Sequence, residues 1–195
     1  MKELIEMSLE ELWRLFPIVL KKHNPEYALW YKEESEKILR LLDRCRIYRI
    51  NHIGSTAVKG LLAKPIVDIL LELDHGYDSD EVIAPLACSG WILMKRDEGT
   101  TVLKFNKGYT LQGFANRVFH LHVRPAGDCS ELYFRDYLKA HSAIAQEYAS
   151  LKSELKTKFE NNRDAYTEAK SDFIDKYTAI ARKEFYGRYQ PDINR

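Results

Sequence analysis

The sequence predicts an α+β fold, with a sheet-containing core over residues 1–130 and a helical layer over residues 131–190. Three observations lead there. Between Ile47 and Arg124 the chain supplies short β-branched and aromatic runs separated by Gly, Ser and Asp. From Glu131 onward the apolar residues recur at helical spacing instead. No Pro-rich linker, low-complexity tract or internal repeat divides the 195 residues, a length that suits one domain.

The elements follow in order. Ser8 and Glu11 match a capping box, so a short helix is expected through Leu15 before Pro17 ends it. Ile18 to Leu20 read as a brief edge strand. Asn24, Pro25 and Glu26 supply a cap, a proline at the first helical position and an acid in the first turn. A long amphipathic helix is expected from there to about Cys45, with Trp30, Tyr31, Ile38 and Leu41 on its apolar stripe. Ile47 to Ile50 form the first strand. Lys64 to Glu72 form the second, apolar nearly throughout, as suits a strand covered on both faces. Asp80 to Cys88 read as a helix stopped by Ser89 and Gly90. Trp91 to Met94 and Thr101 to Phe105 read as a hairpin around Asp97, Glu98 and Gly99. Gly108 and Gly113 make Asn106 to Asn116 a loop over one end of the sheet, and Arg117 to Arg124 a last strand. Three helical stripes close the chain: Leu132, Phe134, Tyr137 and Leu138; then Tyr148, Leu151, Leu155 and Phe159; then Tyr166, Phe173, Tyr177 and Ile180.

Composition narrows the function classes. At 45% hydrophobic and 12% aromatic the chain can bury a sizeable core. A formal net charge of +1 gives no global case for binding nucleic acid or a membrane surface, so a basic site must be local. Cys45, Cys88 and Cys129 are an odd set without metal-type spacing, and reduced thiols in a cytoplasmic protein are the expectation. No signal peptide is expected, and no apolar run is long enough for a bilayer. The Lys and Glu residues between the helical stripes read as a solvated face with i,i+4 pairs. Arg135, Arg163 and Lys170 are set apart, because a helix laid over the end of the sheet would aim them at an anion.

Two places carry chemistry. At Gly54 the missing Cβ allows a sharp turn and close approach to a ligand. Ser55 or Thr56 then stands where a helix N-cap belongs, with backbone N–H groups that favour phosphate. On the following strand Asp68 is a lone carboxylate among Ile and Val, and it requires a partner: a metal, a lysine or a hydrogen-bond cluster. The plain alternative is a tight turn before an ordinary strand. The second place is His120 and His122, on one face of the last strand and about 6.6 Å apart along it. Such a pair can share a metal, flank a phosphate, or act as acid and base.

Together, His52 to Ala57, Gly60 and Leu61 with Ala63 to Ile66, Asp68, Phe119 with His120 and His122, and Phe134 to Leu138 resemble the GrpB family. Asn106 to Tyr109 and Arg163 to Tyr166 extend the likeness over most of the chain. The resemblance implies a nucleotidyltransferase-like fold, a mixed sheet with flanking helices, and relatives fused to dephospho-CoA kinase. In that superfamily a Gly-Ser turn holds the triphosphate, and carboxylates on neighbouring strands hold two magnesium ions. Gly54 and Ser55 match the turn, and Asp68 matches the first carboxylate. Leu70 stands where a second acid is usual. Glu72 shares the face of Asp68 but lies about 13 Å along the strand. His120 and His122 stand where a third carboxylate is expected, and imidazole suits zinc or manganese better than magnesium.

The candidate set is therefore Asp68, His120 and His122 for metal and catalysis. Gly54, Ser55, Thr56, Lys64, Lys104 and Arg135 are expected around the phosphates. The expected cofactor is a divalent metal (magnesium, manganese or zinc), and the expected partner is a small nucleotide or phosphorylated ligand. Three readings stay open: a nucleotidyltransferase, a non-catalytic nucleotide-binding module lacking a carboxylate, and a His/Asp metal-dependent phosphohydrolase.

Overall fold

The computed structural model describes residues 4–42, 47–96, 102–160 and 162–191. Five strands, Ile47–Ile53 (β1), Val67–Leu73 (β2), Ile92–Arg96 (β3), Leu103–Thr110 (β4) and Gly113–Pro125 (β5), form one sheet in the order β1-β2-β5-β4-β3. The β2–β5 pair is parallel and the other three are antiparallel, so the sheet is mixed. The two parallel strands are its centre.

Alternation along those strands gives the sheet two different faces. One carries Val67, Ile69, Leu71, Leu121 and Val123, each fully buried. Tyr27–Leu41 (α2) and Ser79–Cys88 (α3) cover it, adding Tyr27, Ile38, Val82 and Leu86 to the same core. Burying each such side chain contributes about 1.5–3 kcal/mol, which makes this face the main source of stability. The other face carries Asp68, Leu70 and Glu72 on β2, opposite His120, His122 and Arg124 on β5. Ser130–Ala140 (α4) packs Leu132 on Leu70 there, and Ser171–Glu184 (α7) packs on α4. The α+β fold is thus a sheet with helices on both faces.

Several expectations change in detail. Asn106 to Asn116 are not a loop: β4 and β5 continue as a hairpin to a two-residue turn between Thr110 and Gly113. Gly108 sits at a bulge with φ +89°, where an added Cβ would lie 2.3 Å from the Arg117 carbonyl oxygen. A bulge glycine and a turn glycine together mimic a loop. Ile18 to Leu20 form no strand; an isolated bridge pairs Lys21 with Ala63, and Ile18 is buried against Leu155 and Tyr166. The long helix begins at Tyr27 because Asn24 closes a turn onto the Glu26 N–H at 3.0 Å. It ends at Leu41, and the expected end at Cys45 lies outside the described residues, as do Asp97 to Gly99 of the first hairpin. The capping box is present: Glu11 and Ser8 exchange side-chain contacts at the start of Leu9–Leu15 (α1). After Ser142–Lys158 (α5), the last stripe breaks into Arg163–Glu168 (α6) and α7.

Candidate functional site

β1 runs into Gly54, whose φ of +70° and ψ of −173° suit only glycine. A Cβ there would lie 2.4 Å from Asp68 Oδ2, so the turn and the carboxylate occupy neighbouring space by design of the backbone. The helix that follows is a single 3-10 turn, Ser55–Ala57, and its cap position is Gly54 rather than Ser55 or Thr56. Thr56 is buried, donates its hydroxyl proton to the Ile66 carbonyl at 3.0 Å, and meets His52 Nε2 at 3.0 Å. Because that one proton is spent on Ile66, His52 must be the donor, with its hydrogen on Nε2. Burial, chiefly, lowers the His52 pKa to about 4, and its ring stacks on Tyr31. His52 is neutral near pH 7. The Thr56 hydroxyl is therefore a strut between the turn and the entry to β2.

Asp68 and His120 are register partners on the parallel pair, and His122 follows two residues on. Asp68 Oδ1 lies 3.1 Å from His120 Nδ1 and 3.8 Å from His122 Nε2. Ligand atoms from all three fall within 4.8 Å of one another. Burial works to raise the Asp68 pKa, but the His120 hydrogen bond and the nearby His122 imidazole overrule it and keep the carboxyl ionised. Burial keeps the His120 imidazole below its ordinary range. One carboxylate and two imidazoles grouped in this way could hold a divalent metal ion. Behind them, His120 Nε2 meets the Tyr109 hydroxyl at 2.7 Å, and Arg163 donates to the same hydroxyl at 2.8 Å. Tyr109 thus orients His120 through its second nitrogen.

A cleft of about 320 Å³ opens beside Asp68 and His120. Lys64 from the approach to β2, Lys152 from α5, Arg163 from α6 and Lys170 from the start of α7 all line it, facing two carboxylates, Asp68 and Asp164. Lys152 is buried, donating to Ser55 Oγ at 3.1 Å and to the Leu62 carbonyl. Lys64 and Lys170 lie over the Tyr166 ring, and Lys152 lies over Tyr148. Burial first, then repulsion from neighbouring cations, lowers Lys64 and Lys152 to about 7, and burial, opposed by Asp68, lowers Lys170 to about 8. Crowded, desolvated ammonium groups of this kind gain most from an anion that restores their protons. Polyphosphate is such an anion.

The structure thus brings Gly54, Ser55, Thr56, Lys64, Asp68 and His120 to one cleft, with His122 at its edge beside Asp68. It places two expected phosphate residues elsewhere. Arg135 is committed to Asn51, the His52 carbonyl, Asp136 and Tyr189, tying α4 to β1. Lys104 is exposed on β4 and does not line the cleft. Arg163 and Lys170, set apart in the sequence, do line it. Lys152 and Tyr109 escaped sequence reasoning: one sits in a Lys/Glu-rich helix that reads as solvated, the other in the segment that reads as a loop. The apolar stripe of Tyr148, Leu151 and Leu155, which Lys152 adjoins, was the available signal for the lysine.

The chain is similar to several known proteins. The family described as GrpB protein matches residues 17–179. A UPF0157 protein of Pseudomonas aeruginosa is 39% identical over 64% of this chain and 52% of its own length. The UPF0157 protein YqkA of Bacillus subtilis is 31% identical over 85% of this chain and 48% of its own. The chain spans about half the length of these two relatives. A dephospho-CoA kinase of Mycobacterium leprae is 24% identical over 88% of the chain and 52% of that protein. The crystal structure of conserved protein GrpB from Enterococcus faecalis superimposes with a TM-score of 0.73 at 25% identity, covering 86% of this chain and 99% of that one. No helix among the described residues is long and apolar enough to cross a membrane.

Proposed function

The chain belongs to the GrpB family, and from that premise we propose that its cleft binds the polyphosphate of a nucleotide beside a divalent metal, for nucleotidyl transfer. The observation that carries the reading is the convergence of Lys64, Lys152, Arg163 and Lys170 on the turn at Gly54 and Ser55, next to Asp68 and His120. These cations come from four separate places in the chain, which a purely structural network does not require. Lys152 holds the Ser55 hydroxyl toward the cleft and shares the phosphate charge with Lys64 and Lys170. Asp68, His120 and His122 would hold the ion, which supplies Lewis-acid polarisation of a phosphoryl oxygen. Arg163 and Tyr109 fix the His120 ring against reorientation as the ligand enters.

A second reading rests on Leu70. It is fully buried against Ile53, Cys129 and Leu132, so the position two residues beyond Asp68 is part of the core and supplies no second acid. A non-catalytic nucleotide-binding module fits that feature. Incubation with nucleoside triphosphates, manganese or zinc, and candidate acceptors separates the readings. The likeness to dephospho-CoA kinases makes coenzyme A precursors the first acceptors to supply. Acceptor-dependent release of pyrophosphate supports transfer. Orthophosphate release moves the assignment to a His/Asp phosphohydrolase, and binding without turnover to the module.

A further inference from the structure

A second cleft, of about 280 Å³ and largely apolar, lies beside the basic one. Ile92, Leu93 and Met94 of β3 form one wall, and Leu12 and Phe16 of the N-terminal segment form the other. The three β3 residues are 38%, 37% and 56% exposed, an unusual concentration of large apolar side chains on an edge strand. The two clefts share a boundary. Arg163 lines both, and Tyr109, which bonds Arg163 and His120, lines the apolar one.

Register shows that they lie along one continuous face. Asp68 pairs with His120, His120 with Asn106, and Asn106 with Ile92, a row that crosses four adjacent strands. With strands about 4.8 Å apart, Ile92 lies about 14 Å from Asp68. That is the span of a ligand with an anionic tail and an apolar head. The head end offers aliphatic side chains, the Asn106 amide and the Arg163 guanidinium beside the Tyr109 ring. Flat faces, apolar edges and a directional amide suit a planar heterocycle.

Resting on the polyphosphate reading of the basic cleft, we propose that the cleft between β3 and the N-terminal helix is the nucleobase subsite of the same ligand. Arg163 is then the hinge of recognition, meeting phosphate on one side and the base on the other. The subsite makes the protein selective for nucleotides over inorganic polyphosphate.

Calorimetric titration with manganese present tests this, using ATP and inorganic tripolyphosphate as probes on the wild type, on an Ile92→Ser/Met94→Ser variant, and on Asn106→Ala. The two β3 positions are exposed, so serine is accommodated without disturbing the core. The expected result is an ATP affinity about tenfold lower in the double variant, with tripolyphosphate affinity unchanged. Asn106→Ala should lower ATP affinity in the same selective way. ATP binding that equals tripolyphosphate binding in the wild type, or that survives both variants, overturns the subsite and leaves the basic cleft intact. Failure of both probes to bind the wild type removes the polyphosphate reading and the subsite with it. A coenzyme A precursor whose binding alone responds to the β3 changes also overturns the assignment, in favour of a pantetheine arm.

Discussion

Asp68 and Glu72 are acids on the same face of the same strand, four residues apart, with opposite surroundings. Glu72 is fully buried and meets Arg49 through both oxygens, one at 2.8 Å to Nη2. The Gly127 N–H donates to it at 3.1 Å and the Cys129 thiol at 3.2 Å. Burial and the neighbouring Glu72 carboxylate push that thiol up to about 12, so it stays a protonated donor. Asp68 keeps 26% of its side-chain exposure, has two histidines in place of an arginine, and opens on a basic cleft. A carboxylate closed by a permanent cation and backbone donors is a fastener between β1, β2 and the segment after β5. One closed by titratable, metal-capable imidazoles is left with coordination to offer.

The largest effect that can break this contrast concerns Glu72. Replacement by Ala leaves Arg49 without its buried partner and should cost about 3 kcal/mol or more in chemical denaturation. Asp68→Asn should stay within about 1 kcal/mol of the wild type in the same experiment. Equal losses would make both acids structural.

Gly54→Ala sharpens the link between turn and carboxylate. The positive φ and the 2.4 Å approach to Asp68 Oδ2 predict a stability loss of about 1–3 kcal/mol, together with weaker metal binding. Intact metal affinity in that variant would detach the turn from the site.

The lysines give a pH signature. Lys64, Lys152 and Lys170 sit at about 7, 7 and 8 when folded, below their ordinary value near 10.5. The unfolded chain therefore binds more protons between about pH 7 and 10.5, so stability should rise across that window and be lowest below it. Triphosphate affinity should run the other way, falling as pH climbs past 7–8 and the ammonium groups discharge. Lys152→Met should flatten both profiles. A triphosphate affinity that rises over this range would contradict the role given to the lysines. The smallest expected effect is at Lys104, where Ala should leave triphosphate affinity unchanged, because the side chain does not line the cleft.

These contrasts were partly visible in the sequence. Asp68, His120 and His122 stood out because alternation along a strand assigns faces directly, and a charge among Val and Ile has few explanations. That Glu72 shares the face of Asp68 was legible for the same reason. Arg135 was misplaced because α4 docks on β1 and spends the guanidinium on the His52 carbonyl and Asn51, a long-range contact that local pattern does not encode. Lys152 was hidden for the converse reason: only when α5 lies along the turn does a lysine among other lysines become buried. Tyr109 was lost with the hairpin that Gly108 and Gly113 disguised. Strand periodicity exposes what a sheet face presents, whereas the cations that complete a site from separate helices emerge only with packing.

The most direct test of the central claim is calorimetric titration of manganese and ATP into the wild type and Asp68→Asn. The account predicts manganese-dependent ATP binding in the wild type. In Asp68→Asn the manganese dependence should vanish, while metal-free binding of tripolyphosphate to the lysine cluster persists. Manganese affinity unchanged by the substitution, or no ATP binding with any divalent metal, would contradict the assignment of this cleft as a metal-assisted nucleotide site.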